Sequence, residues 1–404
     1  MNKKLVAVAV AGMLAAPLAA QAQTANVTLY GRLNIDYELL TGKQADGTNP
    51  NVSRLSSNSS RLGVRGTESL GGGLNAIFQI ESNVSGDTGN SSGSGLASRE
   101  TFVGLQGAWG TFKMGKFLMP TDDLHPIFGN VPTYTTSILS TADLWAQGTQ
   151  SKFNGGFDAR LGNSLRYDSP VWAGFNFSSQ ISLRDSSGFA DNGLNSPPAA
   201  TNPTVYGGDN GDHVSELRHA YVWGLAGYYN NGPIQAGLGY ESNVNVRGPG
   251  LSDYDITFTG AYNFGVVRIA GVYEKLKYDV SSGGDLTRNF WGVSATAPIG
   301  PGALYAFWGR AEDGKGSAAD GSRVGGLTHG SQTGSDQYEI SYTYPLSKRT
   351  QVYAGYVKLQ NDAAAAYTFN INAYTINTSC TIAATCASPN GKPGGLVLGM
   401  IHLF

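Results

Sequence analysis

The residues of this chain that could do chemistry are arginines and carboxylates set into alternating runs. Arg61 and Arg65 bracket Leu62 and Val64, and Arg166 and Asp168 alternate with Leu165 and Tyr167. Glu81 shares a parity with Asn75 and Gln79, opposite to Leu74, Ala76, Phe78 and Ile80. Arg32 alternates with Leu33 and Ile35 in the same way. Period 2 is the strand period, so each run presents apolar side chains on one face and charge on the other. Where the apolar face meets hydrocarbon, a charge on it would cost about 2–4 kcal/mol at mid-depth, so the charges must face water. The chemistry open to such a set is electrostatic: fixed charges around a water-filled lumen sort solutes by sign and size. Covalent catalysis needs a nucleophile beside a positioned base. The five histidines (His125, His213, His219, His329 and His402) are scattered, four in or near long polar segments and one on an apolar strand face. No Gly-x-Ser-x-Gly elbow precedes a helical pattern. Neither a cofactor nor a metal site is expected.

These charges need strands to carry them, and the chain is strand and turn throughout. Seven tight turn signals recur at 70–73, 108–110, 169–174, 230–233, 263–265, 298–302 and 346–349. Between them lie eight longer polar segments, near 41–58, 85–97, 118–160, 186–215, 246–252, 279–286, 312–334 and 362–394. Sixteen runs of about ten residues with alternating polarity separate these connections. Short turns alternating with long loops, and an even strand number, predict an all-β, sixteen-stranded antiparallel transmembrane barrel. Closure is required because lipid cannot satisfy an open sheet edge. The first run, Val27 to Tyr37, and the last, Leu396 to Phe404, are the strands expected to meet. A soluble β-sandwich would also alternate, but gives no reason for the short and long connections to take turns. Aromatics near turns, such as Tyr167, Trp172, Phe175 and Phe177, or Phe290, Trp291, Phe307 and Trp308, are expected to form girdles at the membrane interfaces.

Composition agrees. Glycine is 56 of 404 residues and charged residues are 14%, about half the usual share. No stretch supplies the roughly 18 uninterrupted apolar residues of a membrane helix. Residues 1–22 read as a secretory signal: Lys3 and Lys4, an apolar stretch from Leu5 to Leu18, then Ala20-Gln21-Ala22. Its removal would leave 23–404 as one barrel domain and move the formal charge from −2 to about −4. Near-neutral charge and export argue against a nucleic-acid partner.

Several stretches carry a likeness to a known family. They are Val27-Thr28-Leu29-Tyr30-Gly31, the run from Asn58 to Glu68, the run from Leu70 to Glu81, Phe102-Val103-Gly104-Leu105, Leu165 to Pro170, and Phe404. With these the chain resembles the trimeric general porins of Gram-negative outer membranes, most closely the β-proteobacterial type. The resemblance implies short periplasmic turns, long extracellular loops and a third long loop folded inward to narrow the pore. It implies a homotrimer passing small hydrophilic solutes and ions. It also implies a constriction of basic wall residues, here Arg61, Arg99 and Arg166, facing acids, here Glu81 and Asp143. Parity alone does not place Arg99, which goes inward only on the resemblance. Arg32, Arg54 and Arg65 on the basic side, and Asp122 and Asp123 on the loop, stand in reserve. The apolar residues of that loop, among them Leu118, Ile127, Phe128 and Trp145, need a wall to pack on.

The expected function is passive diffusion across the outer membrane with an anion lean. Alternatives are a substrate-specific channel, which a row of lumen aromatics would favour, and, less in keeping with the residues, an outer-membrane enzyme or a surface adhesin barrel. Expected partners are outer-membrane lipid and lipopolysaccharide; loop acids such as Asp185 and Asp191 are open to divalent cations, with no motif that specifies a site. The barrel-assembly machinery is expected to read the last strand through Phe404. Cys380 and Cys386, five residues apart, are expected to form a disulfide inside the last long loop of this exported chain. Closing so small a loop contributes about 2 kcal/mol or less. Intact mass should therefore show no free thiol in protein purified without reductant, and the double serine variant should still assemble.

Overall fold

The computed structural model describes residues 26–43, 49, 51–89, 96–130, 138–145, 157, 159–183, 221–246, 250–280, 283–324, 327–369 and 389–404. The signal segment, Asp185, Asp191 and both cysteines lie outside the described residues. The wall begins with β1 (Asn26–Lys43) and β2, which runs in two segments (Asn51–Ser57 and Arg61–Gly71). Then follow β3 (Leu74–Asn83), β4 (Thr101–Gly107), β5 (Gly110–Leu118), β6 (Arg160–Asp168), β7 (Phe175–Leu183) and β8 (Tyr221–Asn231). The second half comprises β9 (Ile234–Val244), β10 (Ser252–Asn263), β11 (Arg268–Asp279), β12 (Asp285–Ile299) and β13 (Gly302–Ala311). It ends with β14 (Ser335–Pro345), β15 (Thr350–Asn361) and β16 (Lys392–Leu403). Each strand pairs antiparallel with the next, and β16 pairs with β1 from Arg32↔Leu403 to Lys43↔Lys392. The ring is a closed sixteen-stranded antiparallel barrel, and every ladder finds its partner.

All seven tight turns fall where the sequence places them. The first uses Gly71, Gly72 and Gly73 at φ of 88°, 60° and 80°, a left-handed path that side chains resist. The strand ends that lead into the long connections lie at the opposite end. The first of them is shorter than the polar composition of 41–58 suggests: β1 runs to Lys43 and β2 restarts at Asn51. Polar residues pair in a ladder as well as apolar ones once the wall rises past the hydrocarbon, so alternation fades before the strand ends. β2 breaks at Asn58-Ser59-Ser60, where three residues oppose Leu33 and Asn34 and Ser59 takes φ 50°. The hydroxyl of Ser60 accepts from the Asn34 N–H at 2.9 Å and donates to the Asn34 carbonyl at 3.1 Å. This bulge keeps the backbone satisfied and ends directly before Arg61.

Faces follow parity. Leu398 is 63% exposed on the outside while its neighbour Val397 is 1% exposed. The girdle at the turn end includes Phe175 against Tyr229 (4.3 Å between ring centres) and Trp172 with Phe177. Phe290 and Phe307 depart from the expected girdle: they point inward and are buried. Trp291 and Trp308 do face outward, stacked edge-on at 4.6 Å, but lie nearer the long connections.

The packed core lies between the third long connection and the inner wall. That connection enters the barrel as a 3-10 turn (Pro120–Leu124), a helical turn (His125–Phe128) and a second 3-10 turn (Thr141–Asp143). Leu124, Phe128, Ile138, Leu139, Leu144 and Trp145 are buried against residues such as Val272, Phe290 and Val357. Glycines make room for them. A Cβ at Gly237 would come within 2.3 Å of Leu124, and one at Gly395 within 2.5 Å of Ile138.

At the seam the backbone of Phe404 exchanges two hydrogen bonds with Gly31 (2.9 and 3.1 Å), and its ring lies over that glycine, where a Cβ would sit 2.2 Å from Cζ. Gly31→Val should push the ring aside, and Phe404→Ala should remove it. Both are expected to lower the heat-modifiable, folded fraction in membranes, read as band shift on unheated gels, while Gly227→Ala, where a Cβ meets nothing within 4 Å, should leave it unchanged.

Candidate pore constriction

The charged wall is built from neighbouring inward positions of β1 to β6. Arg32 and Arg61 are direct cross-strand partners. Like charges placed so destabilise a sheet unless something else compensates. Glu81 is that compensation. Its Oε1 accepts from Arg99 Nε at 2.6 Å, its Oε2 lies 3.6 Å from Arg61 Nε, and the Tyr30 hydroxyl donates to Oε2 at 3.0 Å. Arg99 stands two residues before β4, held there by its N–H on the Glu81 carbonyl, and its Nη1 donates to Asn83 at 3.2 Å. Arg65 lays its guanidinium 4.9 Å over the Tyr30 ring. Arg61 and Arg99 against Glu81 leave this group at +1, and Arg65 joins it through Tyr30.

A second cluster sits beside it. Arg166 donates to Asp168 at 2.8 Å and to the Leu118 carbonyl at 3.0 Å, and pairs with Asp123 of the third connection. Lys113 pairs with the other oxygen of Asp168 at 2.7 Å. Two cations and two carboxylates balance here. Sequence reasoning passed over Lys113, although it alternates with Phe112 and Met114 and so was legible. It also passed over Arg160, at the first residue of β6 and within electrostatic reach of Arg99, Asp122 and Glu81. Arg160 has no alternating run before it to announce its face.

Asp143 does not sit in either cluster. It is fully buried, and its carboxylate accepts from Gln337 of β14 at 3.0 Å. Among the described residues, the loop acid paired with Arg166 is Asp123. The reason lies in the path of the loop, whose first 3-10 turn leaves β5 beside Arg166 and whose later part is pinned to β14. Asp122 is buried next to His125, Nε2 to Oδ1 3.9 Å, and the His125 ring stacks on Trp145 at 3.9 Å. Arg54 pairs with Glu38 at 2.6 Å nearer the long connections.

The third connection lies against the inner wall of β8, β9, β11, β12 and β14. Thr121 donates to Glu241 at 2.7 Å, Tyr228 to the Pro120 carbonyl at 2.7 Å, Ser294 to the Phe128 carbonyl at 2.8 Å and Gln337 to the Ser140 carbonyl at 2.7 Å. Arg268 reaches the Ile127 carbonyl, and Arg288 joins the Leu144 carbonyl to Glu274 at 2.7 and 2.8 Å. Under this cover Glu241, Asp255, Glu274 and Glu339 are 1%, 2%, 0% and 4% exposed. The loop thus hides these carboxylates, while Arg61 and Arg65 on the other arc stay accessible.

Comparison with known proteins fits this architecture. The family described as "Gram-negative porin" matches residues 7–364. The chain belongs to that family. Outer membrane porin protein 32 of Delftia acidovorans is 30% identical over 372 residues, 90% of this chain and 91% of that protein. An outer membrane porin protein of Bordetella pertussis is 30% identical over 403 residues, 88% of this chain and 93% of its own length. Among solved structures, an anion-selective porin from Comamonas acidovorans superposes at a TM-score of 0.67 with 25% identity, over 94% of this chain and all of that one. This porin is therefore an outer-membrane barrel of a Gram-negative bacterium, and a passive diffusion channel.

Glu81 is the test of the arginine cluster. Breaking a buried ion pair from one side costs about 3 kcal/mol or more, so Glu81→Gln should lower the denaturation midpoint of the folded barrel in detergent. The same variant should raise the anion-to-cation permeability ratio. A barrel of unchanged midpoint would mean that the arginines do not need Glu81.

Proposed function

We propose that this porin is a homotrimeric general diffusion channel that favours anions, with Arg61 and Arg99 setting the preference. The observation that carries the reading is the division of the inner wall. Arg61 and Arg99 outnumber Glu81 where they meet, and Arg65 lies beside them on the Tyr30 ring, while Glu241, Asp255, Glu274 and Glu339 are sealed beneath the third connection. Arg166 contributes less than its position suggests, because Asp123 and Asp168 neutralise it. Local charge outweighs the overall balance of the chain because the Debye length at 0.1 M salt is about 10 Å, comparable to a pore radius. The named character of the Comamonas porin runs the same way. In this reading the long connections face outward, residues 1–22 are a cleaved leader, the barrel-assembly machinery reads the strand ending at Phe404, and the protein carries no enzymatic activity.

Reversal potentials across a salt gradient in planar bilayers test this. Wild type should prefer anions at 0.1 M, and the preference should fade towards 1 M, where screening reaches about 3 Å. Arg61→Ser with Arg99→Ser should move the reversal potential towards cations with the barrel intact. Three equal current steps per insertion would report the trimer. Unchanged selectivity in the double variant would overturn the assignment.

A further inference from the structure

Arg61 and Arg166 both point into the lumen, yet they are held in different ways. Among the described residues Arg61 has one carboxylate partner, Glu81 at 3.6 Å, and its side chain is 30% exposed. The Arg166 side chain is 8% exposed and its fork is filled. Nε donates to Asp168 Oδ1 at 2.8 Å and Nη1 to the Leu118 carbonyl at 3.0 Å. Nη2 reaches Asp123 Oδ2 and, at 3.4 Å, the Ser178 hydroxyl. Asp168 is fixed in turn by Lys113 at 2.7 Å and by the Ser178 hydroxyl at 2.7 Å. A guanidinium taken on three sides has little left for a passing ion. Its planar fork is instead suited to holding several acceptors in one geometry.

Two of those acceptors belong to the start of the third connection. Leu118 is the last residue of β5, and Asp123 lies in the 3-10 turn that follows. The register of β5 against β6 shifts between Gly115 and Phe117, and past that bulge the end of β5 comes within reach of Arg166. Gly115 permits the bulge: it takes φ 149°, and a Cβ there would lie 2.1 Å from the Thr101 carbonyl oxygen. The other flank of the turn is fastened to β8 and β9. Tyr228 donates to the Pro120 carbonyl at 2.7 Å and stands 3.4 Å from Asp123 Oδ2, Thr121 donates to Glu241 at 2.7 Å, and Leu124 fills the space over Gly237 and Gly239. The turn is thus a bridge with one footing on β8 and β9 and the other on β6, and Arg166 supplies the β6 footing. Lys113, Arg166, Asp123 and Asp168 sum to zero charge, so this footing adds position without adding sign.

We propose that Arg166 and Asp123 are positioning residues, a clasp that fixes the start of the third connection across the lumen and so sets the size of solute that passes, while other arginines set the sign. The clasp requires that the barrel conducts and does not require that it prefers anions, so it is tested with uncharged solutes. Hindered passage falls steeply as a solute nears the pore width, so a loop freed to fluctuate admits large solutes mainly in its wide excursions. The full barrel in liposomes is given a neutral monosaccharide or a neutral trisaccharide, and swelling rates are compared. Arg166→Lys keeps the charge, but a single ammonium cannot hold Asp123, Asp168 and the Leu118 carbonyl together. Asp123→Asn with Arg166→Gln removes the clasp at constant net charge. Both should raise the trisaccharide-to-monosaccharide ratio and the open-channel current noise several-fold, with the reversal potential in a salt gradient as in wild type. A wild-type ratio in both variants, folded by the heat-modifiable band shift, would overturn the proposal. A reversal potential moved towards cations in the constant-charge variant would return Arg166 to the ion filter and overturn it too. If neither Arg166 variant folds, Asp123→Asn alone decides, since its carboxylate is 41% exposed. A folded Asp123→Asn barrel with raised ratio and noise would support the clasp, and one with wild-type sieving would overturn it.

Discussion

The constraint on which everything else rests is that hydrocarbon offers no hydrogen bond to a backbone. Each N–H and carbonyl of the wall must find a partner within the wall. The pairing of β1 with β16 meets that demand, and the terminal contact between Gly31 and Phe404 completes it at the turn end. Closure then dictates the faces. Once the apolar set is fixed outward, a slip of one residue would reverse every side chain, so register is strongly specified. The arginines are inside because leucines and valines one residue away are outside.

A sixteen-strand ring encloses more space than wall side chains can fill. The third connection takes part of it, and the manner of its docking shapes the pore. Six glycines on the inner wall (224, 237, 239, 292, 355 and 395) stand where a Cβ would crowd this loop. The high glycine content of the chain is thus partly a packing device. The loop is fastened by carbonyl and carboxylate contacts to β8, β9, β11, β12 and β14 and by an aromatic cluster around Phe128 and Trp145. Rigidity of this kind keeps the remaining opening at a fixed width, which a sieve requires.

The same docking separates charge. Carboxylates on β9, β10, β11 and β14 lie behind the loop, whereas Arg61 and Arg65 of β2 remain accessible. A chain that is slightly acidic overall can therefore present a basic aperture. Placing Arg32 directly opposite Arg61 is unfavourable for the sheet alone. Tyr30 and Glu81 bind the group together and offset part of that repulsion.

The sequence by itself determined the barrel, its sixteen strands, all seven turns and the parity that puts Arg32, Arg61, Arg65, Glu81 and Arg166 inward. Those features are local: alternation and turn chemistry depend on residues within a few positions of one another. The partners of those charges were decided only by the tertiary structure. Arg99 lies before its strand, where no alternation reaches it, and its place beside Glu81 follows from a backbone hydrogen bond between neighbouring strands. Asp123 pairs with Arg166 and Asp143 is held by Gln337, 194 residues further along the chain, because the loop docks along a path set by distant glycines. Phe290 and Phe307 turned from girdle to core for the same reason: an inward aromatic looks like any strand aromatic until a loop arrives to cover it.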